Sequence, residues 1–149
     1  MKKKILAISS GGGHWIQLLR LRPAFFGFDV AYVTVQRSYQ SDVADARFYV
    51  VDDATRWDRL KLIKMMMQLC IILIRERPDY VISTGAAPGL VALRLAKLIG
   101  ARVLWLDSIA NVEQLSLSGC KALSFADVTL TQWPEVAKKS EAEFKGAVL

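Results

Sequence analysis

Short β-rich runs alternate with longer helical runs along the whole chain, and this alternation restricts the fold more than any other feature. Neighbouring parallel strands need a long crossover between them, and that crossover is usually a helix. The pattern predicts strands at residues 5–9, 29–35, 48–51, 79–83, 102–106 and 127–131. It predicts helices at residues 15–21, 57–76 and 89–99, the last ended by Gly100. We therefore expect an α/β fold, a Rossmann-like doubly wound parallel sheet.

The length and the cysteine content limit what else the chain can be. At 149 residues it can bury one sizeable core, so we predict a single domain over residues 1–149. Cys70 and Cys120 form no CxxC motif and the chain has one histidine, which argues against a disulfide framework or a zinc site. The apolar run after the first lysines is too short for a signal peptide, and we expect no membrane-spanning helix.

The predicted strand order decides where a ligand would bind. In the common order 3-2-1-4-5-6, ligands occupy the crevice at the carboxyl ends of strands one and four, where the topology reverses. The loop after strand one is Ser-Ser-Gly-Gly-Gly-His at residues 9–14, and the loop after strand four is Thr-Gly-Ala-Ala-Pro-Gly at residues 84–89. Strand five ends beside them in Asp107-Ser108. The unusual residues therefore fall where this fold places a site.

The loop after strand one is typical of a phosphate-binding loop. Gly11, Gly12 and Gly13 lack a Cβ, so their backbone amides and those beside Ser10 can approach a ligand closely. The helix that follows adds partial positive charge, which suits a phosphate or a diphosphate. The motif is neither GxGxxG nor GxxxxGK[ST]. A tight turn without a ligand is the alternative, although one glycine usually suffices for a turn.

Two residues at this edge are candidates for the catalytic base. His14 is the only histidine, and an imidazole is a natural base for a sugar hydroxyl. It could also contact the ligand without proton transfer, or cap the helix. Asp107 competes for the same role, and its alternative is to cap the segment after strand five. Thr84, Gly85 and Ser108 could contribute hydroxyls and amides to an acceptor's phosphate or sugar, or could only shape the turns.

The predicted helix at residues 57–76 has apolar residues nearly all round. A crossover helix needs only one apolar face, so we predict that a second face enters an anionic membrane interface. Burial on two sides is the alternative. The residues assigned to this membrane contact are Lys61, Lys64, Met65, Met66, Met67, Leu69, Ile72 and Leu73.

The overall charge supports an anionic partner of some kind. The formal net charge is +6, and the mean hydropathy of +0.27 is high for a soluble monomer. The basic residues flank an apolar helix and do not alternate with aromatics, so we expect no nucleic-acid binding. We expect Trp133-Pro134 to end the sheet and residues 135–149 to form a terminal helix or a docking segment.

Four motifs in order carry a resemblance to a known family. They are residues 9–14, residues 83–85, residues 106–110 with 115–119, and residues 131–134. Together they resemble the oligosaccharide-biosynthesis family that includes the membrane-anchoring subunit of the dolichol-diphosphate chitobiose-forming N-acetylglucosaminyltransferase. Its bacterial, PssD-like members serve exopolysaccharide and capsule assembly. The resemblance covers nearly the whole chain.

The resemblance implies a GT-B glycosyltransferase divided between two polypeptides. This chain would be the N-terminal, acceptor-binding half, and a separate small subunit would bind the donor. The chain is also similar to the N-terminal domain of the peptidoglycan enzyme that adds N-acetylglucosamine to its lipid-linked precursor. There a glycine-rich loop ending in histidine lies at the acceptor diphosphate, which matches Gly11, Gly12, Gly13 and His14. Family members often carry glutamate where Asp107 stands.

The expected function follows from this resemblance. The chain and its partner would transfer a sugar from a shared nucleotide-sugar donor, UDP-linked, to a polyprenyl-diphosphate-linked glycan in exopolysaccharide or capsule biosynthesis. The reaction would be inverting, with no cofactor and no metal. The chain would be peripheral, at the cytoplasmic face of the plasma membrane. The alternative is a non-catalytic membrane scaffold that recruits and activates a catalytic glycosyltransferase partner.

Overall fold

The computed structural model describes residues 1–148, which form one seven-stranded sheet with helices on both faces. The strands are β1 Lys4–Ile8, β2 Asp29–Thr34, β3 Arg47–Val50, β4 Tyr80–Ser83, β5 Arg102–Leu106, β6 Val128–Thr131 and β7 Glu143–Phe144. The helices are α1 Gly13–Arg20, α2 Arg59–Glu76, α3 Ala86–Leu98, α4 Leu117–Leu123 and α5 Pro134–Lys139. Short 3₁₀ turns at Arg22–Phe25 and Arg37–Val43 complete the connections on either side of β2.

The strand order confirms the predicted fold class. The order is β3-β2-β1-β4-β5-β6-β7, and every neighbouring pair is parallel. Strands β2 and β3 therefore extend the sheet on one side of β1, and β4 to β7 extend it on the other side. Because crossovers between parallel strands are right-handed, this reversal places the two sets of helices on opposite faces and creates a crevice between β1 and β4.

Alternating residues of the central strands fill two separate cores. Leu6 and Ile8 of β1 point into a core shared with α2 and α3, and Ile5 and Ala7 point into a core built on Trp15. The Trp15 ring stacks on Tyr39 at a centroid distance of 5.2 Å. Since full burial of a large apolar side chain stabilises a fold by about 1.5–3 kcal/mol, this period-two pattern fixes the strand register.

The structure corrects three details of the predicted secondary structure. Helix α3 begins at Ala86, three residues before the predicted start, with Pro88 inside its first turn. Helix α4 was not predicted, although Ser116 is its N-cap and its side chain accepts a hydrogen bond from the amide of Gly119. The sheet does not end at Trp133, since β7 pairs with β6 after α5. These elements are short, so their sequences carry too few periods to be recognised.

Helix α2 is apolar on two sides, and the side that packs on the sheet contains half of the predicted membrane residues. Met65, Leu69, Ile72 and Leu73 are buried against the sheet and cannot contact a membrane. The opposite side carries exposed apolar residues, here called the outer face of α2: Leu60, Ile63, Met66, Met67, Ile71 and Ile74. The second apolar face therefore exists, but at a different phase of the helix. Within residues 1–148, no helix is long and apolar enough to cross a membrane.

An ion pair between the buried Glu76 and the partly exposed Arg47 joins the last turn of α2 to the amino edge of the sheet. Arg47 donates from Nε to both carboxylate oxygens of Glu76 at 3.0 and 3.1 Å, and from Nη1 to Asp29 at 2.9 Å. Tyr49 donates its hydroxyl to Glu76 at 2.5 Å. Burial alone would raise the pKa of Glu76, but the hydrogen bonds from Arg47 and Tyr49 outweigh it and hold this pKa below its ordinary value of 4.5.

We predict that Glu76→Gln lowers the free energy of unfolding at neutral pH by about 1–3 kcal/mol, because it removes a buried charge-assisted partner. A carboxylate with a depressed folded-state pKa stabilises the fold above its unfolded pKa and loses that contribution as the pH falls through the folded value. The wild-type chain should therefore lose more stability than the variant on acidification below about pH 5. Urea unfolding across this pH range measures the difference.

The matched control is Glu135→Gln, which breaks the exposed Glu135–Lys138 pair on α5. Exposed ion pairs contribute about 0–1 kcal/mol, so this variant should unfold close to wild type. Equal effects of the two substitutions would contradict the structural role assigned to Glu76.

Candidate functional site

A crevice opens at the carboxyl edge of the sheet, where β1, β4 and β5 are neighbours. It has a volume of about 380 Å³. The residues that line it include the predicted site residues His14, Gly85, Asp107 and Ser108, and the polar residues Asn111, Ser116 and Ser118. A larger, open depression at the amino edge, beside Phe26 and Arg22, holds none of these residues. The structure thus brings the loops after three strands together, as the strand order predicts.

The three glycines of the first loop differ in whether the surrounding structure would tolerate a side chain at that position. Gly12 has a φ of 66° and is the N-cap of α1, and its amide donates to the Tyr39 hydroxyl at 3.0 Å. A Cβ on Gly11 would lie 3.0 Å from Nε2 of Gln36. A Cβ on Gly13 would meet nothing within 4 Å, so packing within the chain does not require this glycine. Its absent side chain leaves the entrance to α1 open.

Two helices begin at the crevice without a side-chain cap. Gly12 precedes α1 and Gly85 precedes α3, neither helix has an acidic residue in its first turn, and Ser10 lies half-buried just before the first of them. Ala86 adopts a left-handed φ of 67°, which is strained for a residue with a Cβ. Free amides at helix N-termini attract anions. These two helix N-termini lie at the loops where the phosphate site is predicted, and the site stays a prediction.

His14 and Thr84 hold the two loops together through a reciprocal pair of hydrogen bonds. Nδ1 of His14 lies 3.0 Å from the carbonyl oxygen of Thr84, and the Thr84 hydroxyl donates to the carbonyl of His14 at 2.6 Å. Because a carbonyl only accepts, Nδ1 carries the proton and Nε2 is left as an acceptor. A Cβ on Gly85 would lie 2.3 Å from Nδ1, so the ring position requires glycine there.

Asp107 is buried at the end of β5, where its carboxylate is surrounded by hydrogen-bond donors. The residue is only 1% exposed, and its carboxylate accepts four hydrogen bonds. The donors are Trp105 Nε1 at 3.0 Å, Asn111 Nδ2 at 3.1 Å, and the amide and hydroxyl of Ser116 at 2.8 and 2.5 Å. These donors occupy both carboxylate oxygens. Asp107 therefore holds the loop between β5 and α4 in this structure, the supporting role that the sequence left open, and its role as a base stays a prediction.

Ser108 lies on the wall of the crevice and is held by residues that sequence reasoning missed. Nε2 of Gln17, in the middle of α1, donates to the Ser108 hydroxyl at 3.3 Å, and Gln132 after β6 donates to Gln17 at 2.7 Å. Both glutamines are buried. One signal could have found Gln17: it lies three residues after His14, on the same side of the helix.

The described residues 1–148 contain no group of three or more histidine, cysteine, aspartate or glutamate side chains placed to hold a metal ion. What the crevice offers is uncapped amides, hydroxyls and one imidazole nitrogen. Chemically, these groups can bind an anion and accept a proton from a hydroxyl.

We predict that Asp107→Asn lowers the free energy of unfolding by about 2–4 kcal/mol, because an amide cannot accept all four hydrogen bonds. Urea unfolding measures the change, and Asp53→Asn, at an exposed aspartate, is the control. A catalytic base would behave differently: its loss would abolish activity and leave stability unchanged. An Asp107→Asn protein as stable as the wild type would contradict the structural role.

Comparison with known families and curated sequences gives a consistent result. The family model described as "Oligosaccharide biosynthesis protein Alg14 like" matches residues 51–148. The UDP-N-acetylglucosamine transferase subunit ALG14 of Yarrowia lipolytica is 34% identical over 82 residues, which are 50% of this chain and 38% of that protein. The Schizosaccharomyces pombe subunit alg14 is 37% identical over 79 residues, 48% of this chain and 37% of its own. The matches thus span less than half of these relatives' length.

Solved structures match the fold over nearly the whole chain. Acinetobacter baumannii MurG superposes with a TM-score of 0.75 at 16% identity, covering 90% of this chain and 43% of MurG. A UDP-N-acetylglucosamine 2-epimerase from Rickettsia bellii gives a TM-score of 0.74 at 13% identity, covering 99% and 46%. At these identities the likeness shows the fold alone: that of the N-terminal half of GT-B proteins.

Proposed function

The chain belongs to the Alg14-like family of oligosaccharide biosynthesis proteins, and we propose that it is the acceptor-binding subunit of a two-chain GT-B glycosyltransferase. The acceptor is a polyprenyl-diphosphate-linked glycan. Because the curated relatives are named as subunits of a UDP-N-acetylglucosamine transferase, the proposed donor is UDP-N-acetylglucosamine. The resemblance of the motifs to bacterial, PssD-like proteins supports a role in exopolysaccharide or capsule assembly.

One observation carries this proposal: the crevice combines two helix N-termini that lack a side-chain cap with an imidazole that uses Nδ1 for the fold, while its Nε2 makes no hydrogen bond to any of residues 1–148. The first-turn amides at Gly13 of α1 and at Ala86 and Ala87 of α3 suit the acceptor diphosphate, and Gly13 has no side chain to cover the start of α1. The Gly85 amide is not among them, because it donates to the Ser83 hydroxyl at 3.2 Å. His14 stands between the two helices, with Nδ1 held by Thr84. An anion and a basic nitrogen are what a phosphate-linked sugar acceptor requires.

The proposed reaction is a single displacement. Nε2 of His14 takes the proton of the acceptor hydroxyl, whose oxygen forms a bond to the anomeric carbon of the donor sugar. The bond between that carbon and the nucleoside diphosphate breaks, and the diphosphate leaves with its electron pair. Attack on the face opposite the leaving group inverts the configuration. Thr84 keeps the ring in the tautomer this step needs.

The donor-binding half is assigned to a separate small subunit. The curated relatives are themselves named as subunits of a transferase, which supports a second chain. A GT-B transferase binds its donor between two facing domains, so a second domain must complete the crevice. The carboxyl edge of the sheet, with His14 at its centre, is the side that faces the partner.

The outer face of α2 is the proposed membrane contact. Its residues are well exposed, with Met67 61% accessible. An exposed apolar patch of this kind is typical of a surface that contacts a membrane or another protein. Trp57 is exposed just before the helix, with the Arg56 guanidinium 4.6 Å from its ring centroid. Lys61 and Lys64 lie on the first turns and remain exposed, although they pair with Asp58 at 3.7 Å and Asp52 at 2.7 Å. Basic side chains beside an apolar helix face fit an anionic bilayer interface. The proposed location is the cytoplasmic face of the plasma membrane.

We predict that His14→Ala lowers the transfer rate of the chain with its partner by roughly 10²–10⁴-fold, because it removes the base. The free energy of unfolding should fall by about 1–3 kcal/mol, because the buried carbonyl of Thr84 loses its imidazole donor while the Thr84 hydroxyl still donates to the carbonyl of residue 14. The assay is transfer of N-acetylglucosamine from the UDP donor to a polyprenyl-diphosphate-linked acceptor. Ile16→Ala, an exposed position on the same helix, is the control and should retain the wild-type rate.

Near-normal transfer by His14→Ala would support the alternative, a scaffold that only activates its partner. An inactive wild-type pair, tested with native lipid acceptor and several UDP-sugars, would contradict both the donor-acceptor assignment and the proposed reaction.

We predict that Ile63→Gln, Met67→Gln and Ile71→Gln together reduce binding to vesicles of phosphatidylcholine and phosphatidylglycerol at least about tenfold, since three apolar side chains leave the interface. Vesicle co-sedimentation measures binding. Leu98→Gln, at a position 78% exposed at the end of α3, is the matched control and should bind as wild type. Equal binding of the triple variant and the control would contradict the assignment of the outer face of α2.

A further inference from the structure

Two buried glutamine side chains connect α1 to the opposite wall of the crevice. Gln132 is 2% exposed and Gln17 is 5% exposed. Nε2 of Gln132 donates to Oε1 of Gln17 at 2.7 Å and to the carbonyl of Asp107 at 3.0 Å. Uncharged amides are costly to bury without partners, so a satisfied buried pair constrains both elements that carry it.

Backbone groups on both sides fix the orientation of this pair. The amide of Val148 donates to Oε1 of Gln132 at 2.8 Å, so the NH₂ group of Gln132 must point toward Gln17. Oε1 of Gln17 also accepts from the amide of Ile109 at 3.4 Å. Its Nε2 is therefore left to donate to the Ser108 hydroxyl, at 3.3 Å. Only one arrangement of the two side-chain amides satisfies all these contacts.

The pair lies between the two walls of the crevice. Gln17 follows His14 by three residues, so the two side chains share a side of α1. Gln17 contacts Ser108 and Ile109 at the start of the loop of residues 108–116. The amide of Ser116, at the end of this loop, donates to the Asp107 carboxylate that precedes it. A shift of this side chain would therefore move the wall carrying Ser108 relative to His14.

We infer that Gln17 and Gln132 are positioning residues that set the separation between His14 and the loop of residues 108–116, and through it the fit of the acceptor. This inference rests on the proposed function for its kinetic consequence. Neither glutamine touches the acceptor; both act through Ser108 and the loop backbone. Donor binding, which belongs to the partner, is independent of the pair.

The test is Gln17→Met, which keeps the length of the side chain and removes both of its hydrogen-bonding groups. With the partner subunit, KM for the polyprenyl-diphosphate acceptor should rise about tenfold, while KM for the UDP donor stays unchanged. A merely destabilised protein would instead lose kcat through a smaller active fraction, at unchanged KM for both substrates. Gln132→Met leaves α1 intact and should likewise raise KM for the acceptor without changing KM for the donor. It replaces Gln17→Met in the test if that variant does not fold.

Gln68→Met is the matched control. Gln68, on α2, also accepts a backbone hydrogen bond, from Asp52 at 2.9 Å, but has no contact with the crevice. Its KM for the acceptor should equal that of the wild type. An unchanged acceptor KM in both Gln17→Met and Gln132→Met would overturn the inference.

Amide hydrogen exchange of the chain alone separates this inference from the proposed function. Residues 108–116 should exchange faster in Gln17→Met than in the wild type, while the strands exchange equally. This readout needs neither partner nor substrate. Unchanged exchange in the loop would overturn the coupling even if the wild-type pair is active. Faster exchange together with an inactive wild-type pair would support the coupling and contradict the proposed function.

Discussion

The parallel pairing of β1 with β4 is the constraint on which the rest of the structure depends. Residues 5–8 of β1 lie in register with residues 80–83 of β4, although they are far apart in the chain. This pairing reverses the direction in which the sheet grows and brings two glycine-containing loops to the same edge. The reciprocal hydrogen bonds of His14 and Thr84 then join those loops. The imidazole is oriented because the sheet has this order.

Buried polar groups give the crevice its fixed walls. Asp107 gathers four donors at the end of β5, and the Gln17–Gln132 pair joins α1 to the same loop. Such groups stabilise only when every donor and acceptor is satisfied, so the arrangement has little freedom. That rigidity suits a site in which a proton acceptor must stay near an acceptor hydroxyl. The carboxylate of Asp107, which the sequence offers as a candidate base, supports the loop in this structure.

The two sides of α2 divide the tasks of this helix. One side, with Met65 and Leu69, fills the core behind the sheet, and the outer face of α2 remains exposed. A helix that only crossed over the sheet would carry polar residues on that outer side. In the proposed function, the same helix fixes the sheet and places the crevice near the membrane that holds the lipid-linked acceptor.

The sequence by itself predicted six of the seven strands and the loops that follow them, because hydrophobic periodicity and glycine-containing loops are local signals. The strand order was taken as the common one for a doubly wound sheet, and the tertiary structure decided it and added β7. The sequence also identified the loop of Gly11, Gly12 and Gly13. Only the tertiary structure decided which side of α2 is buried, because a helix that is apolar nearly all round has no preferred phase until it meets a sheet. It likewise decided that Asp107 is occupied and that Gln17 is buried, since hydrogen-bond partners up to 115 positions apart in the chain are brought together only by folding.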